Sequence, residues 1–386
     1  MNLSSDYSTR AGRFEKQTRG FRAFIPAPLP PNPRIRLTSA LLNALSKAEH
    51  SLARLNGAIL TLPDPEKFVH MYIRHEAVLS SKIDGMDVGL LDLIATEARI
   101  SASKYSNEMQ EVQNYCTVMK HGFDQINVIH SLTSSTRKIH KQMFQRKHAS
   151  NLNLGVFRTE QSWVGPAGCN VHDATFVPPP PDLVEPQMQA LDQFVATDVG
   201  LPPLVKIGLI HAQFENIHAL RQGNGRVNRL LLTLLLHKSK LVEKPVLNLS
   251  WFFNRYSSEY YDSLQSVRED GNWEDWLLFF FKAVAQVGKH AAITVRRILE
   301  TREENRCLIN DQLGRSVPNG HRLLDRLYEF PFVSVNEVRE LTGTTFASAN
   351  ALVMRMVDCG LLKEFTQRHR NRRYLFYSYV KLFKER

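Results

Sequence analysis

A chain of 386 residues with 43% hydrophobic and 23% charged residues is long enough for two or three domains and has the composition of a folded protein, not a disordered one. Four cysteines lie far apart without a CxxC pair, which argues against a zinc ribbon and a disulfide framework; the polar, basic start argues against a signal peptide, and the apolar run Leu230–Leu236, broken by Thr233, is too short to cross a bilayer. The expectation is a soluble, cytoplasmic protein without membrane contact, whose net charge of +11 calls for an anionic partner: nucleic acid, nucleotide phosphates or an acidic protein.

In chain order, residues 26–33, PAPLPPNP, form an extended arm unsuited to a helix or a central strand. Helical apolar spacing follows at 37–60 and 68–79, split by Pro63 and Pro65, so the N-terminal third reads as helical. Helical patterns continue at 107–129 and 131–146. The character then changes: alternation at 157–163, a Gly/Pro break and ATFVPPPP predict a β-hairpin flap. Helices are expected again at 186–197, 204–218, 226–241, 250–270 and 272–304, the last capped by Asn272. From Ser334 two short helices turn at Gly343, and two strands flank a basic turn, the pattern of a winged helix-turn-helix.

The chemistry concentrates at 204–229. Ile207, Ile210, Phe214 and Ile217 make one buried face, with His211, Glu215 and His218 on a neighbouring stripe. Their order does not match that of zinc proteases, and His211 reads better as a core residue. His218 ends the helix, where a neutral imidazole can accept a proton from a hydroxyl, or simply face the last carbonyls. Gly223 and Gly225 let backbone N–H groups converge at the start of the next helix, and Arg226 and Arg229 project together from its first turns. Two cations at a helix N-terminus oppose its dipole and point to an anionic ligand.

The stretch HAQFENIHALRQGNGRVNR resembles the signature of Fic-domain proteins, HxFx(D/E)GNGRxxR, through His218, Gly223, Asn224, Gly225, Arg226 and Arg229. FRTEQSWVG with FVPPPPDLVEPQMQALDQF resembles the family's flap and the helix after it. FIPAPLPP and SSKIDGM are similar to the N-terminal region of one subgroup that often ends in a winged helix. The resemblance implies transfer of AMP from ATP to a Tyr, Thr or Ser hydroxyl of a target protein. It implies His218 as general base, the 223–225 backbone with Asn224 holding the α-phosphate, and Arg226 and Arg229 gripping the outer phosphates. The flap would align the target by strand addition.

Two positions depart from the pattern. The family places an acidic residue for Mg²⁺ where this chain has Gln222, a poor ligand for a hard divalent ion. This leaves open weaker metal binding, another transferred moiety, or a nucleotide-binding regulator without efficient turnover. The inhibitory segment, usually (S/T)xxxE(G/N), is matched by Ser80, Asp84 and Gly85 with a carboxylate one methylene shorter, and its resemblance implies that Asp84 reaches Arg229. The plainer alternative is a helix-terminal Asp with a C-cap Gly.

The expected fold is mainly α: a Fic-type helical core with a β-hairpin flap and a C-terminal winged helix-turn-helix. Its parts are an N-terminal helical region with the inhibitory segment (1–106), the catalytic core (107–304) and the winged helix (305–386). In the last, Arg355, Arg368, Arg370, Arg372 and Arg373 are candidates for DNA contact, with protein docking equally open. The oligomeric state is left open, a homodimer included.

Overall fold

The computed structural model describes residues 8–100, 107–125, 131–145, 153–366, 368 and 370–383. The ends of two expected helices, at 126–129 and 146, lie outside them.

The chain begins with an antiparallel meander of β1 (Ser8–Thr9), β2 (Gly12–Lys16) and β3 (Arg22–Pro26), in which Gly12 faces Pro26. This corrects the helical reading of the N-terminal third. The strands are short and β2 (GRFEK) is mostly polar, so local pattern gives little sign of them. Their burial is long-range: Phe24 N–H donates to Val177 O at 2.9 Å, and Phe21, Ala23 and Ile25 pack with Val177.

Helices follow as α1 (Ser39–Leu60), α2 (Pro65–Ile83), α3 (Leu90–Glu97), α4 (Asn107–Asp124), α5 (Leu132–Phe144), α6 (Pro181–Ala196), α7 (Pro203–Ile217), α8 (Asn224–Lys238), α9 (Leu249–Arg255), α10 (Ser257–Asp270) and α11 (Trp273–Gln312). Thr38 caps α1 by accepting from Leu41 N–H, and the buried stripe Leu41, Leu45, Ala48, Leu52, Leu55, Ile59 has the spacing that lays it along α11. Ser51 Oγ fixes the pair by donating to Ala285 O at 2.8 Å. The single helix expected at 250–270 is broken at Tyr256.

At the centre lie α7 and α8. The sequence reading gave α7 one buried face, but it is buried from Ile207 to Ile217 on every side, polar residues included. A helix walled in all round needs internal partners for its polar groups. His211 Nε2 meets Tyr260 Oη at 2.9 Å with its ring stacked on Trp276, and Asn228 Nδ2 of α8 donates to both His211 O and Glu215 Oε1. Each fully buried Leu or Phe here contributes about 1.5–3 kcal/mol relative to exposure, which keeps the turn between the two helices on a rigid base.

The flap between α5 and α6 is an irregular loop closed by one antiparallel bridge, Val164 with Phe176, through N–H···O bonds of 2.8 and 3.0 Å. The prolines at 178–181 lack the N–H groups a longer ladder needs.

The C-terminal unit contains α12 (Val317–Glu329), β4 (Phe332–Val333), α13 (Val335–Thr342), α14 (Phe346–Asp358), β5 (Lys363–Glu364), β6 (Tyr374–Leu375) and α15 (Tyr377–Lys381). Ser334 and Glu337 form a capping box on α13, and Gly343 turns the chain into α14. The sheet order is β4-β6-β5. This unit rests on α2: the Phe68 and Tyr328 rings lie 4.8 Å apart, those of Tyr72 and Phe383 4.9 Å, and Arg74 Nη1 donates to Glu329 O at 3.0 Å.

Candidate functional site

The turn from α7 to α8 carries the site. α7 ends at His218, which takes the left-handed conformation (φ 49°, ψ 55°) and still donates its N–H to Phe214 O at 3.0 Å. A non-glycine residue there stores backbone strain and must be held by its surroundings. Arg158 does so from the flap: its Nε donates to His218 O at 2.9 Å, its backbone N–H to Ala219 O at 3.0 Å, its Nη1 to Glu160 O and its Nη2 to Pro179 O. The base candidate and the flap are thus one assembly, a link the sequence reading missed.

The His218 side chain is half-buried. Burial first, then the charges of Arg158 and Arg268, push its pKa down to about 3, so the imidazole is neutral at pH 7.

After His218 the chain reverses through 219–223 into α8. Asn224 closes this loop with its side chain, Oδ1 accepting from Leu220 N–H at 2.8 Å and Nδ2 donating to Leu220 O at 2.7 Å. That occupies the amide expected on the α-phosphate. The first intrahelical bond of α8 runs from Val227 N–H to Gly223 O, so the earlier N–H groups open outward from the helix end.

Both glycines have steric reasons. Gly223 has φ 73°, and a Cβ there would lie 2.2 Å from Phe144 Cζ; at Gly225 it would lie 2.6 Å from Arg229 Nη1. The second glycine lets the Arg229 guanidinium fold back against the helix start.

The two arginines are buried and ion-paired. Arg229 donates from Nε to Ser80 Oγ and from Nη2 to Ser80 O and Asp84 Oδ1, each at 2.8 Å. Arg226 donates from Nε to Asp84 Oδ2 at 3.0 Å and from Nη1 to Glu111 Oε2 at 2.8 Å, and its guanidinium lies over the Phe144 ring. The expected reach of Asp84 to Arg229 is therefore direct, and Asp84 bridges both arginines. Glu111 of α4 was not singled out from sequence; it lies 115 residues from its partner. Gly85, with φ 82°, ends α2 just past this contact.

Magnesium would need carboxylate oxygens at this loop. Residues 219–225 contain no Asp or Glu, Gln222 is exposed and offers a neutral amide, and the adjacent carboxylates of Asp84 and Glu111 are paired with arginines. Among the described residues no group of three or more His, Cys, Asp or Glu could hold a metal ion. The residues present do not fit a divalent ion.

Three of the five C-terminal candidates have partners within the chain. Arg355 Nη1 donates to Leu313 O, Arg373 pairs with Glu337 at 2.8 Å and Arg372 lies 3.6 Å from Glu364; Arg368 and Arg370 stand exposed near the hairpin tip. The exposed side of α14 carries Phe346, Ala347, Ser348, Ala351, Arg355 and Asp358. No helix among the described residues is long and apolar enough to cross a membrane.

A neutral imidazole one loop away from an open helix N-terminus, with two arginines behind it, defines a site for an anionic group beside a proton acceptor. Residues 42–124 match the Fic/DOC family N-terminal domain and residues 132–236 the Fic/DOC family domain. The chain belongs to the Fic/DOC family. It is similar to an Aquifex aeolicus protein named "Probable protein adenylyltransferase", with 32% identity over 99 residues, 26% of this chain and 28% of that relative. A solved Fic family protein from Desulfovibrio desulfuricans G20 shares the fold with TM-score 0.57 at 18% identity, over 89% of this chain and 97% of that one. Fic-1 from C. elegans matches over 68% of this chain and 73% of its own at 18% identity, TM-score 0.49.

Proposed function

We propose that this protein transfers AMP from ATP to a hydroxyl side chain, Tyr, Thr or Ser, of a target protein, and that the segment Ser80–Gly85 restrains it. The observation that carries this reading is His218, held in its left-handed conformation by Arg158 beside the open N-terminus of α8. The target hydroxyl gives its proton to the His218 imidazole as its oxygen bonds the α-phosphorus. The bond from that phosphorus to the bridging oxygen breaks, and pyrophosphate leaves. Backbone N–H groups of 223–226 face the developing charge. Asp84 restrains the reaction because it occupies Arg226 and Arg229, which then cannot order the outer phosphates.

The test is incubation with α-labelled ATP and intact-mass readout, comparing the parent chain, Asp84→Gly, and Asp84→Gly with His218→Ala. A covalent adduct that grows in the first variant and vanishes in the second supports the reading; its absence in all three overturns it.

Gln222 favours a second reading, a regulator that binds nucleotide without efficient turnover and acts through the C-terminal unit, with Phe346 and the small residues of the first turns of α14 suiting a protein partner and Arg368 and Arg370 suiting DNA. Nucleotide-dependent binding of DNA or protein without an adduct would select it.

A further inference from the structure

We infer that this loop binds a polyphosphate without a divalent cation, with Arg221 supplying the positive charge. The inference rests on the nucleotide-binding reading above but not on transfer.

A triphosphate brings several negative charges that must be compensated on binding. The usual agent, a hard cation, needs carboxylate ligands, and the loop from Ala219 to Gly225 has none. Bringing in a metal would also require Asp84 or Glu111 to abandon buried arginines, leaving those charges unpaired. What the loop does hold is cationic or donating. Arg221 is exposed, makes no ion pair among the described residues, and stands two residues before Gly223, the N-cap of α8. Gln222 beside it can donate from its amide, whereas a carboxylate at that position would repel phosphate in the absence of metal.

A second feature points the same way from beneath the loop. His140 of α5 is 3% exposed, and its Nδ1 accepts from Gly155 N–H at 3.0 Å, which places the ring proton on Nε2. That Nε2 faces the Gln222 backbone, an interaction that favours the protonated ring against the effect of burial and braces the loop at the residue beside Arg221. The His140 ring stands 4.8 Å from that of Phe144, the side chain that Gly223 is shaped to clear.

Binding of ATP and of inorganic tripolyphosphate is measured by calorimetry on the full chain, parent and Asp84→Gly, in EDTA and in Mg²⁺. Removing metal is expected to change the dissociation constants less than about 3-fold, and Arg221→Ala, exposed and harmless to folding, to weaken both ligands about 10-fold in EDTA. Gln222→Asp is expected to bind weakly in EDTA and to recover about 10-fold with Mg²⁺. Metal-dependent binding that ignores Arg221 overturns this inference and leaves the transfer reading standing. No binding of either ligand under any condition overturns both.

Discussion

The Asp84 carboxylate stands 2.8 Å from Arg229 Nη2 and shares its other oxygen with Arg226 at 3.0 Å, so a single side chain occupies both arginines. Arg229 is 2% exposed and Arg226 5%. Removing the carboxylate leaves two buried cations with fewer partners, and Asp84→Ala is expected to destabilise the chain by about 2–4 kcal/mol in urea unfolding. Saturating ATP should return part of that loss in the variant more than in the parent, because ligand phosphates replace the missing charge.

Gly223→Ala combines a left-handed backbone with a Cβ 2.2 Å from Phe144 Cζ. The expected cost is about 2–4 kcal/mol. Phe144→Leu in the same chain should recover part of it, so a double-mutant cycle on thermal or urea unfolding should show favourable coupling; strict additivity would mean that the ring and the turn do not meet.

The buried imidazole of His211 sets a pH dependence. Burial, then the charge of Arg229, lowers its pKa to about 3 from 6.5. Above pH 6.5 neither the folded nor the unfolded form carries the proton. Below it the unfolded chain gains a proton that the folded one refuses, so the stability contributed is lost as pH falls from 6.5 towards 3. At pH 5 the loss is about 2 kcal/mol for this group. His211→Gln should lower stability at pH 7 yet narrow its gap to the parent by that amount at pH 5.

Arg158 joins the flap to His218 O, Glu160 O and Pro179 O. Arg158→Ala is expected to raise amide exchange at Val164 and Phe176, the two N–H groups of the flap's bridge, by an amount equal to about 1–3 kcal/mol. Exchange in α7 and α8 should change far less.

Most helices, the turn at Gly343 and the loop 218–229 were legible in the sequence because their signals are local: periodic apolar residues, caps and paired glycines. Asp84 was legible only through the family resemblance, since nothing in SSKIDG by itself names a partner 145 residues away. Glu111, Arg158 and His140 were missed for the same reason; their roles arise from pairings that no periodicity encodes. The meander at 8–26 was missed because its short strands gain stability from Val177 and from one another. Three of the five C-terminal arginines named as candidates for DNA contact are tied to Leu313, Glu364 and Glu337 in the fold.

Helix α2 has two tenants. Its last turn and C-cap hold Arg229 and Arg226 through Ser80 and Asp84, while Phe68, Tyr72 and Arg74 seat the C-terminal unit. The grip on the two arginines and the mooring of the last seventy residues are therefore carried by one helix. A chain cut before α12 would strip Tyr328 and Phe383 from it and leave Phe68 and Tyr72 bare on the face that now seats them.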